Sequence, residues 1–249
     1  MLHYAEAKIM NKHSIRYYFC KDCEFIQTEE AYWLEEAYNE TINLTDTGIM
    51  KRNQMLSDFS TIIIILFFNK SKKFLDFAGG YGIFTRLMRD IGFDIFWNDK
   101  YSKNLLARGF EYNEDSKYEL LTSFESFEHF TNPLEDIENM LSISDNILIS
   151  TTLTPIQMPL PAEWDYFALE HGQHISFYSI KTMQYIANKY SLNFYTNGKN
   201  IHLFTKKKMS NSIFKILYIS SRFGLASIFK LLLKSRTLSD VKLLLKLRK

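Results

Sequence analysis

Cysteine is nearly absent: the chain has two, Cys20 and Cys23, in 249 residues. So few thiols in a chain this size point to a reducing compartment without disulfides, and a cytoplasmic location is expected. Long apolar runs are missing as well. The longest, residues 62–68, falls far short of the ~18 residues a membrane-spanning helix needs and reads as a buried helix segment. The opening stretch Met1-Leu-His-Tyr-Ala-Glu-Ala-Lys8 has no signal-peptide core. No Gly-Lys-Ser or Gly-Lys-Thr occurs, which excludes a P-loop. There is no internal repeat and no low-complexity segment.

Charge is unevenly spread beneath a net of +2. From Lys206 to Lys249 there are twelve Lys/Arg and one acid, Asp240, leaving 18 Lys/Arg against 27 acids in the rest. An acidic body thus carries a basic tail. Sequence-independent binding to nucleic acid depends on neutralising phosphates, so no nucleic-acid partner is expected. Three regions follow from the pattern. Residues 1–58 are polar, aromatic and irregular and form a cap. Residues 59–208 alternate strands and helices. Residues 209–249 are helical, basic and amphipathic. Such a tail can lie on an anionic membrane or pack on the body or a second subunit. Packing is the favoured reading, with peripheral membrane contact as the alternative.

What is present is concentrated at Phe74-Leu-Asp-Phe-Ala-Gly-Gly-Tyr-Gly-Ile-Phe84. A short apolar strand enters a glycine-rich turn, and a helix follows with Ile83, Phe84, Leu87 and Ile91 on one face and Gly92 placed to end it. A second strand over residues 93–97 is closed by Asp99. Strand, glycine turn, helix, strand and terminal acid form a nucleotide-binding half of a doubly wound sheet, in which the acid can hold a ribose. A dinucleotide fingerprint needs glycines at i, i+2 and i+5; here Gly80 and Gly82 are followed by Thr85. The remaining motif, Asp76-x-Ala78-x-Gly80-x-Gly82, resembles the first motif of class I S-adenosylmethionine-dependent methyltransferases, which usually carry glycine where Ala78 stands.

Further elements follow downstream. Strands are expected over residues 118–124 and 146–150, with a short edge strand over 108–112. Asn132-Pro133 opens a helix with Leu134, Ile137 and Leu141 inward, and Glu135 stands three residues past the cap. Ser179 caps another, with Ile180, Met183, Ile186, Ala187 and Tyr190 inward. Residues 192–205 read as two strands around Asn197-Gly198, a pair that favours a type I′ turn. A terminal hairpin is foreign to a doubly wound dehydrogenase and fits the methyltransferase fold.

The chain is similar to a bacterial branch of these methyltransferases associated with sugar and polysaccharide modification. The likeness rests on the glycine turn with Asp99, on Ser123-Phe-Glu-Ser-Phe-Glu-His129 with Asn132-Pro133, on Trp164-Asp-Tyr-Phe with Gly172-Gln-His174-Ile-Ser-Phe-Tyr-Ser179, and on Cys20-Lys-Asp-Cys23, Trp33-Leu-Glu-Glu-Ala-Tyr38, Asp46-Thr-Gly48 and Arg52-Asn53. The resemblance implies an α/β fold: a doubly wound, Rossmann-like, seven-stranded sheet with its last strand antiparallel, an N-terminal cap and a C-terminal helical tail. It implies S-adenosylmethionine as cofactor, held by Asp76, Ala78, Gly79, Gly80, Gly82, Asp99, Lys100, Phe124 and Glu125, and a small-molecule or glycan acceptor. Tyr101 stands beside Asp99, and Tyr38 and Asn53 are placed to close the site. If the acceptor needs a base, Glu128, His129, His171 and His174 are the candidates, with His129, His174 and Glu128 foremost. Trp164, Tyr166 and Phe167 form either an acceptor wall or core. Relatives hold zinc with two Cys-x-x-Cys knuckles; this chain has one, with His3 and His13 irregularly upstream, so no metal is expected. A non-catalytic scaffold on the same fold is the alternative function.

Overall fold

The computed structural model describes residues 1–38 and 46–247. Residues 39–45 of the expected cap, and Arg248 and Lys249 of the tail, lie outside the described residues.

The N-terminal segment is regular, contrary to the irregular cap expected. Strands β1 (Leu2–Ile9), β2 (His13–Phe19) and β3 (Ile26–Thr28) make an antiparallel meander that β8 (Ser176–Phe177), from far down the chain, completes in the order β1-β2-β3-β8. Ile9, Ile15, Tyr17 and Ile26 are buried beneath it with Trp33, Phe167 and Phe177. Its first three strands pair locally, but the strand that completes it joins Ile26 to Phe177, some 150 residues away. The short helix α1 (Leu34–Ala37) follows.

Helix α2 (Ile49–Phe67) runs through residue 58, where the cap was expected to end. Its second half contains the apolar run, and Ile62, Ile63 and Ile64 are fully enclosed. An all-round apolar helix must be covered on every side, and helices of the tail supply the outer cover.

The main sheet has the order β5-β4-β6-β7-β10-β9, from β4 (Lys73–Phe77), β5 (Asp94–Asn98), β6 (Tyr118–Phe124), β7 (Ile147–Ser150), β9 (Asn193–Thr196) and β10 (Ile201–Thr205). The first four are parallel, and β10 runs antiparallel to β7 and β9. Alternate residues face opposite layers. Phe74, Leu120, Leu148 and Leu203 pack with Phe59, Phe84 and Phe214 on one side; Leu75, Leu121, Ile147, Ile149 and Phe204 pack with Ile137, Met140, Met183 and Ile186 on the other. Burial on both faces is what a doubly wound sheet requires. The seventh strand is reduced to one bridge, Glu111 against Trp97, with Trp97 N donating to Phe110 O and Tyr112 N to Trp97 O. The Glu111 carboxylate turns back onto Asn104 and the Gly109 amide, which curls this segment before it can extend.

Helix α3 (Ile83–Ile91) ends at Gly92 as expected, at φ 135°. Its buried face is Phe84, Thr85, Met88 and Arg89 rather than the stripe through Leu87 and Ile91, because the C-terminal helices cover Arg89 from outside. Helix α4 (Pro133–Ile143) buries Ile137 and Met140 while Leu134 is exposed, and Asn132 makes no side-chain cap bond. In α5 (Ile180–Lys189) Ser179 does cap, accepting from Thr182 N, and Ile180 faces outward. The turn between β9 and β10 has four residues rather than a two-residue type I′ form. Only Gly198 is left-handed, and Asn197 Oδ1 accepts from the amides of Lys199, Asn200 and Ile201.

The tail folds back as α6 (Asn211–Ser221), α7 (Leu225–Lys230) and α8 (Thr237–Leu247). Phe214 is fully buried, edge-on to Phe59 with centroids 5.2 Å apart. Among the described residues no helix is long and apolar enough to cross a membrane.

Candidate functional site

The parallel strands all end at one edge, and the chain passes from β4 to β5 on one side and then crosses to β6 on the other. Open α/β sheets bind ligands at that switch point. Four segments meet there: the turn after β4, Asp99 after β5, residues 124–129 after β6, and the stretch between β7 and β8.

The turn is built by its neighbours. Asp76 is buried; Thr85 Oγ1 donates to its Oδ2 (2.8 Å) and Thr122 Oγ1 to its Oδ1 (3.2 Å). Burial pushes its carboxyl up to about 7. The carboxylate therefore anchors the turn from beneath. Gly79 tolerates no side chain, since a Cβ would lie 2.7 Å from Asp76 Oδ2 and 2.9 Å from Trp97 Cδ1. Trp97 Nε1 pins the Gly80 carbonyl at 2.8 Å. Gly80 has φ 54° with nothing within 4 Å of its Cβ position, so open space lies over its face. Ala78, at φ 57°, occupies the left-handed region that glycine enters freely, consistent with glycine at this place in relatives.

Asp99 is drawn onto this turn. Its Oδ2 accepts from Gly80 N at 2.9 Å, and its Oδ1 accepts from Tyr101 N and Ser102 N at 2.8 and 2.7 Å. Each oxygen of a carboxylate has two lone-pair sites, so Oδ2 keeps one for a further donor. Lys100 is exposed and lies 5.3 Å from the Tyr101 ring. Tyr38 stacks on Tyr101 (6.1 Å, 15°) and meets His129 edge-on at 6.0 Å, so one ring spans from the Asp99 loop to the histidines. Asn53 instead bonds within α2, to Ile49 O.

Beyond β6, Phe124 is half-buried against Phe84. Glu125, at φ 50°, is held by Ser150, and its Oε2 lies 4.0 Å from Arg52 Nε; burial, then the charge of Glu128, pushes its carboxyl up. Glu128 is fully buried, and burial raises its carboxyl too. His129 Nδ1 lies 3.0 Å from Gln173 O, and His174 Nδ1 lies 2.7 Å from Tyr166 O. The two rings are 5.0 Å apart. Burial lowers both imidazoles, His174 to about 3, so both are neutral at physiological pH. His171, also lowered by burial, accepts from Gln173 N and sits 5.3 Å from His174.

The structure thus gathers Gly80, Gly82, Asp99, Phe124, Glu125, Glu128, His129 and His174 around one edge. Phe167 is core, while Trp164 and Tyr166 are half-buried, Tyr166 lying against His174 at 4.7 Å. Cys20 and Cys23 lie in the β2–β3 turn. His3 lies beside Glu6, and His13 bonds Glu36; among the described residues neither joins the two cysteines in a candidate ligand group. Sequence reasoning missed the supports: Thr85 and Thr122 under Asp76, Trp97 over Gly80, and the Gln173 and Tyr166 carbonyls behind the histidines. Thr85 was visible as the residue replacing a third glycine; its role in holding Asp76 was not.

A family model described as "Methyltransferase domain" matches residues 52–196, more than half of the chain. No curated protein matches. Similar solved structures include magnesium protoporphyrin IX methyltransferase from Synechocystis PCC 6803 with bound SAH, at 13% identity and TM-score 0.47, covering 69% of this chain and 90% of that one. Others are CalO1, a methyltransferase in calicheamicin biosynthesis (12%, TM-score 0.46, 71% and 60%), and the plantazolicin methyltransferase BpumL (12%, TM-score 0.46, 65% and 86%).

Proposed function

The chain belongs to the methyltransferase-domain family, and from that premise we propose that it passes the methyl group of S-adenosylmethionine to a small-molecule or glycan acceptor. The observation that carries this reading is the meeting of Asp99 and the glycine turn: an acid with an unused lone pair 2.9 Å from the Gly80 amide, beneath open space. That cradle fits an adenosyl group, with Asp99 as acceptor for ribose hydroxyls and the backbone of residues 79–82 close to the amino-acid end. Gly79, Asp76 and Ala78 act on the turn itself. When bound, the sulfonium supplies an electrophilic methyl carbon.

The chain's own task is then to align the acceptor, since positioning alone can supply several kcal/mol in a displacement. Phe124, Tyr38 and Tyr101 offer apolar walls on the path from Asp99 to His129. On the far side the neutral imidazole of His129 is the group to take a proton from an acceptor hydroxyl or acidic carbon, with His174, the weaker base, beside it. Half-buried Trp164 and Tyr166 provide ring faces of the kind that sugars or flat molecules stack on. The basic tail is assigned peripheral contact with anionic lipid.

Isothermal titration calorimetry with S-adenosylmethionine and S-adenosylhomocysteine tests the cradle. Asp99→Ala and Gly80→Val should each weaken binding at least tenfold. Unchanged affinity in both variants removes the reading. Cofactor binding without methylation of any component of a cell extract would favour a scaffold role instead.

A further inference from the structure

Three crevice side chains do more than a simple base requires. Glu128, His129 and His174 each offer one ligand atom, and these atoms all lie within 4.8 Å of one another. Two come from the turn after β6 and the third from the stretch leading to β8, so the fold brings together residues 46 positions apart.

Two independent features mark them as a donor set. The first is the orientation of the rings. His129 Nδ1 faces the Gln173 carbonyl and His174 Nδ1 the Tyr166 carbonyl. A carbonyl only accepts, so each Nδ1 carries the proton and each Nε2 is left with a lone pair. Metal-binding histidines show this pattern, the outer N–H fixed by a carbonyl and the inner nitrogen free. The second is Glu128. It is 1% exposed; the Tyr166 and Thr151 hydroxyls support its carboxyl, yet its Oε2 has no hydrogen-bond partner among the described residues. The nearby guanidinium of Arg52 is committed to Asp46, at 2.6 and 3.0 Å, and leans toward Glu125. A buried carboxylate oxygen with no donor, beside two imidazole lone pairs, is the environment a cation would satisfy.

We propose that Glu128 Oε2, His129 Nε2 and His174 Nε2 form a three-ligand site for one divalent first-row transition ion, whose remaining positions take an oxygen of the methyl acceptor. Two imidazoles and one carboxylate suit zinc, manganese, iron, cobalt or nickel better than calcium or magnesium. Bond lengths of about 2.1 Å place such ligand atoms about 3.4 Å apart, within reach of small side-chain rotations from the present spacing. The ion would lower the pKa of the acceptor's hydroxyl or enol and fix its oxygen, so that the proton passes to solvent on binding, the oxygen takes the methyl group, and the sulfur leaves as S-adenosylhomocysteine. The acceptor class is thereby narrowed to molecules that present such an oxygen. This last step rests on the methyl-transfer reading; the ion site does not. It departs from the expectation that the chain holds no metal, which rested on the Cys20/Cys23 knuckle and on His3 and His13 upstream of it.

The test uses the full chain, stripped with chelator and dialysed against Co²⁺ or Zn²⁺, and read by elemental analysis and by the visible absorption of cobalt. About one ion per chain is expected. Glu128→Gln, His129→Ala and His174→Ala should each bind at least tenfold more weakly, with circular dichroism and melting curves confirming the fold. Glu128→Gln is nearly isosteric and keeps the test decisive should an alanine variant fail to fold. Cys20→Ser/Cys23→Ser should bind as the parent does. An ion absent from the parent chain, or retained equally in the three crevice variants, overturns the site. Loss in the cysteine variant alone assigns the ion to the β2–β3 turn and overturns it too. Calorimetry with S-adenosylhomocysteine on stripped and loaded parent protein reads the cofactor cradle separately, so either reading can fail without the other.

Discussion

Asp76 is gripped on both carboxylate oxygens. Its place at the end of β4 suggested contact with the cofactor's amino-acid end. Both of its oxygens instead receive threonine hydroxyls, and burial raises its carboxyl to about 7. The folded value lies above the unfolded one near 3.9, so folding favours the protonated form. That contribution is complete below pH ~4 and disappears as pH rises through 7. A gap of about three units corresponds to something on the order of 4 kcal/mol. Asp76→Asn removes the titration while keeping an acceptor for one threonine. The melting temperature of the parent chain, relative to the variant, should therefore fall between pH 4.5 and 7.5. Parallel melting curves over that range would mean Asp76 does not titrate there.

At the scale of elements, the sheet was legible because the chain alternates. Phe74 and Leu75, Leu120 and Leu121, and Leu203 and Phe204 face opposite layers, and Gly92, Pro133 and Ser179 mark helix ends through local chemistry. The crevice residues were legible for the same reason, since the ends of β4, β5 and β6 set where Gly80, Asp99 and Glu125 fall. What stayed hidden depends on distant partners. The β3–β8 pairing joins Ile26 to Phe177, and the inward turn of Arg89 depends on α8, some 150 residues later. Arg89 Nε and Nη2 donate to Asp240 at 2.8 and 2.9 Å, with Arg89 1% and Asp240 3% exposed.

This pair ties the tail to α3. Burial pushes the Asp240 carboxyl up, but the hydrogen bonds and charges of Arg89 and Arg86 outweigh it, leaving the carboxyl below its usual value. Its contribution is present above pH ~4 and is lost as pH falls through the depressed folded value. Breaking a buried pair strands the remaining charge at a cost of about 3–5 kcal/mol. Asp240→Asn should therefore destabilise by that order at pH 7, read as a shift in urea midpoint, and by progressively less as pH falls below ~4. An equal loss at both pH values would show that packing, rather than charge, sets the cost.

For the whole molecule, the tail both packs and exposes. Phe214 and Asp240 face the body, which satisfies the packing expectation. Yet Phe223, Leu231 and Leu238 are 85%, 84% and 77% exposed, together with Ile216, Ile219, Ile228 and Leu245. Exposed apolar area on this scale marks an interaction surface. Its charge argues for which kind. The tail carries twelve Lys/Arg, and its single acid is consumed by Arg89, while the body carries an excess of nine acids. Exposed apolar side chains interleaved with lysines are the pattern that an anionic lipid surface takes up, with apolar side chains among acyl chains and lysines at headgroups, and that is the partner to test. Such attraction is worth about 1 kcal/mol per basic residue near the surface and is screened by salt. The chain should co-sediment with vesicles containing phosphatidylglycerol, far less with pure phosphatidylcholine, and release as salt rises from 0.05 to about 0.5 M. Phe223→Ser/Leu231→Ser should weaken sedimentation at every salt concentration without lowering the melting temperature, because neither side chain is buried. Equal sedimentation with both lipids, or a stable dimer in light scattering that those substitutions dissociate, would instead assign this surface to protein partners.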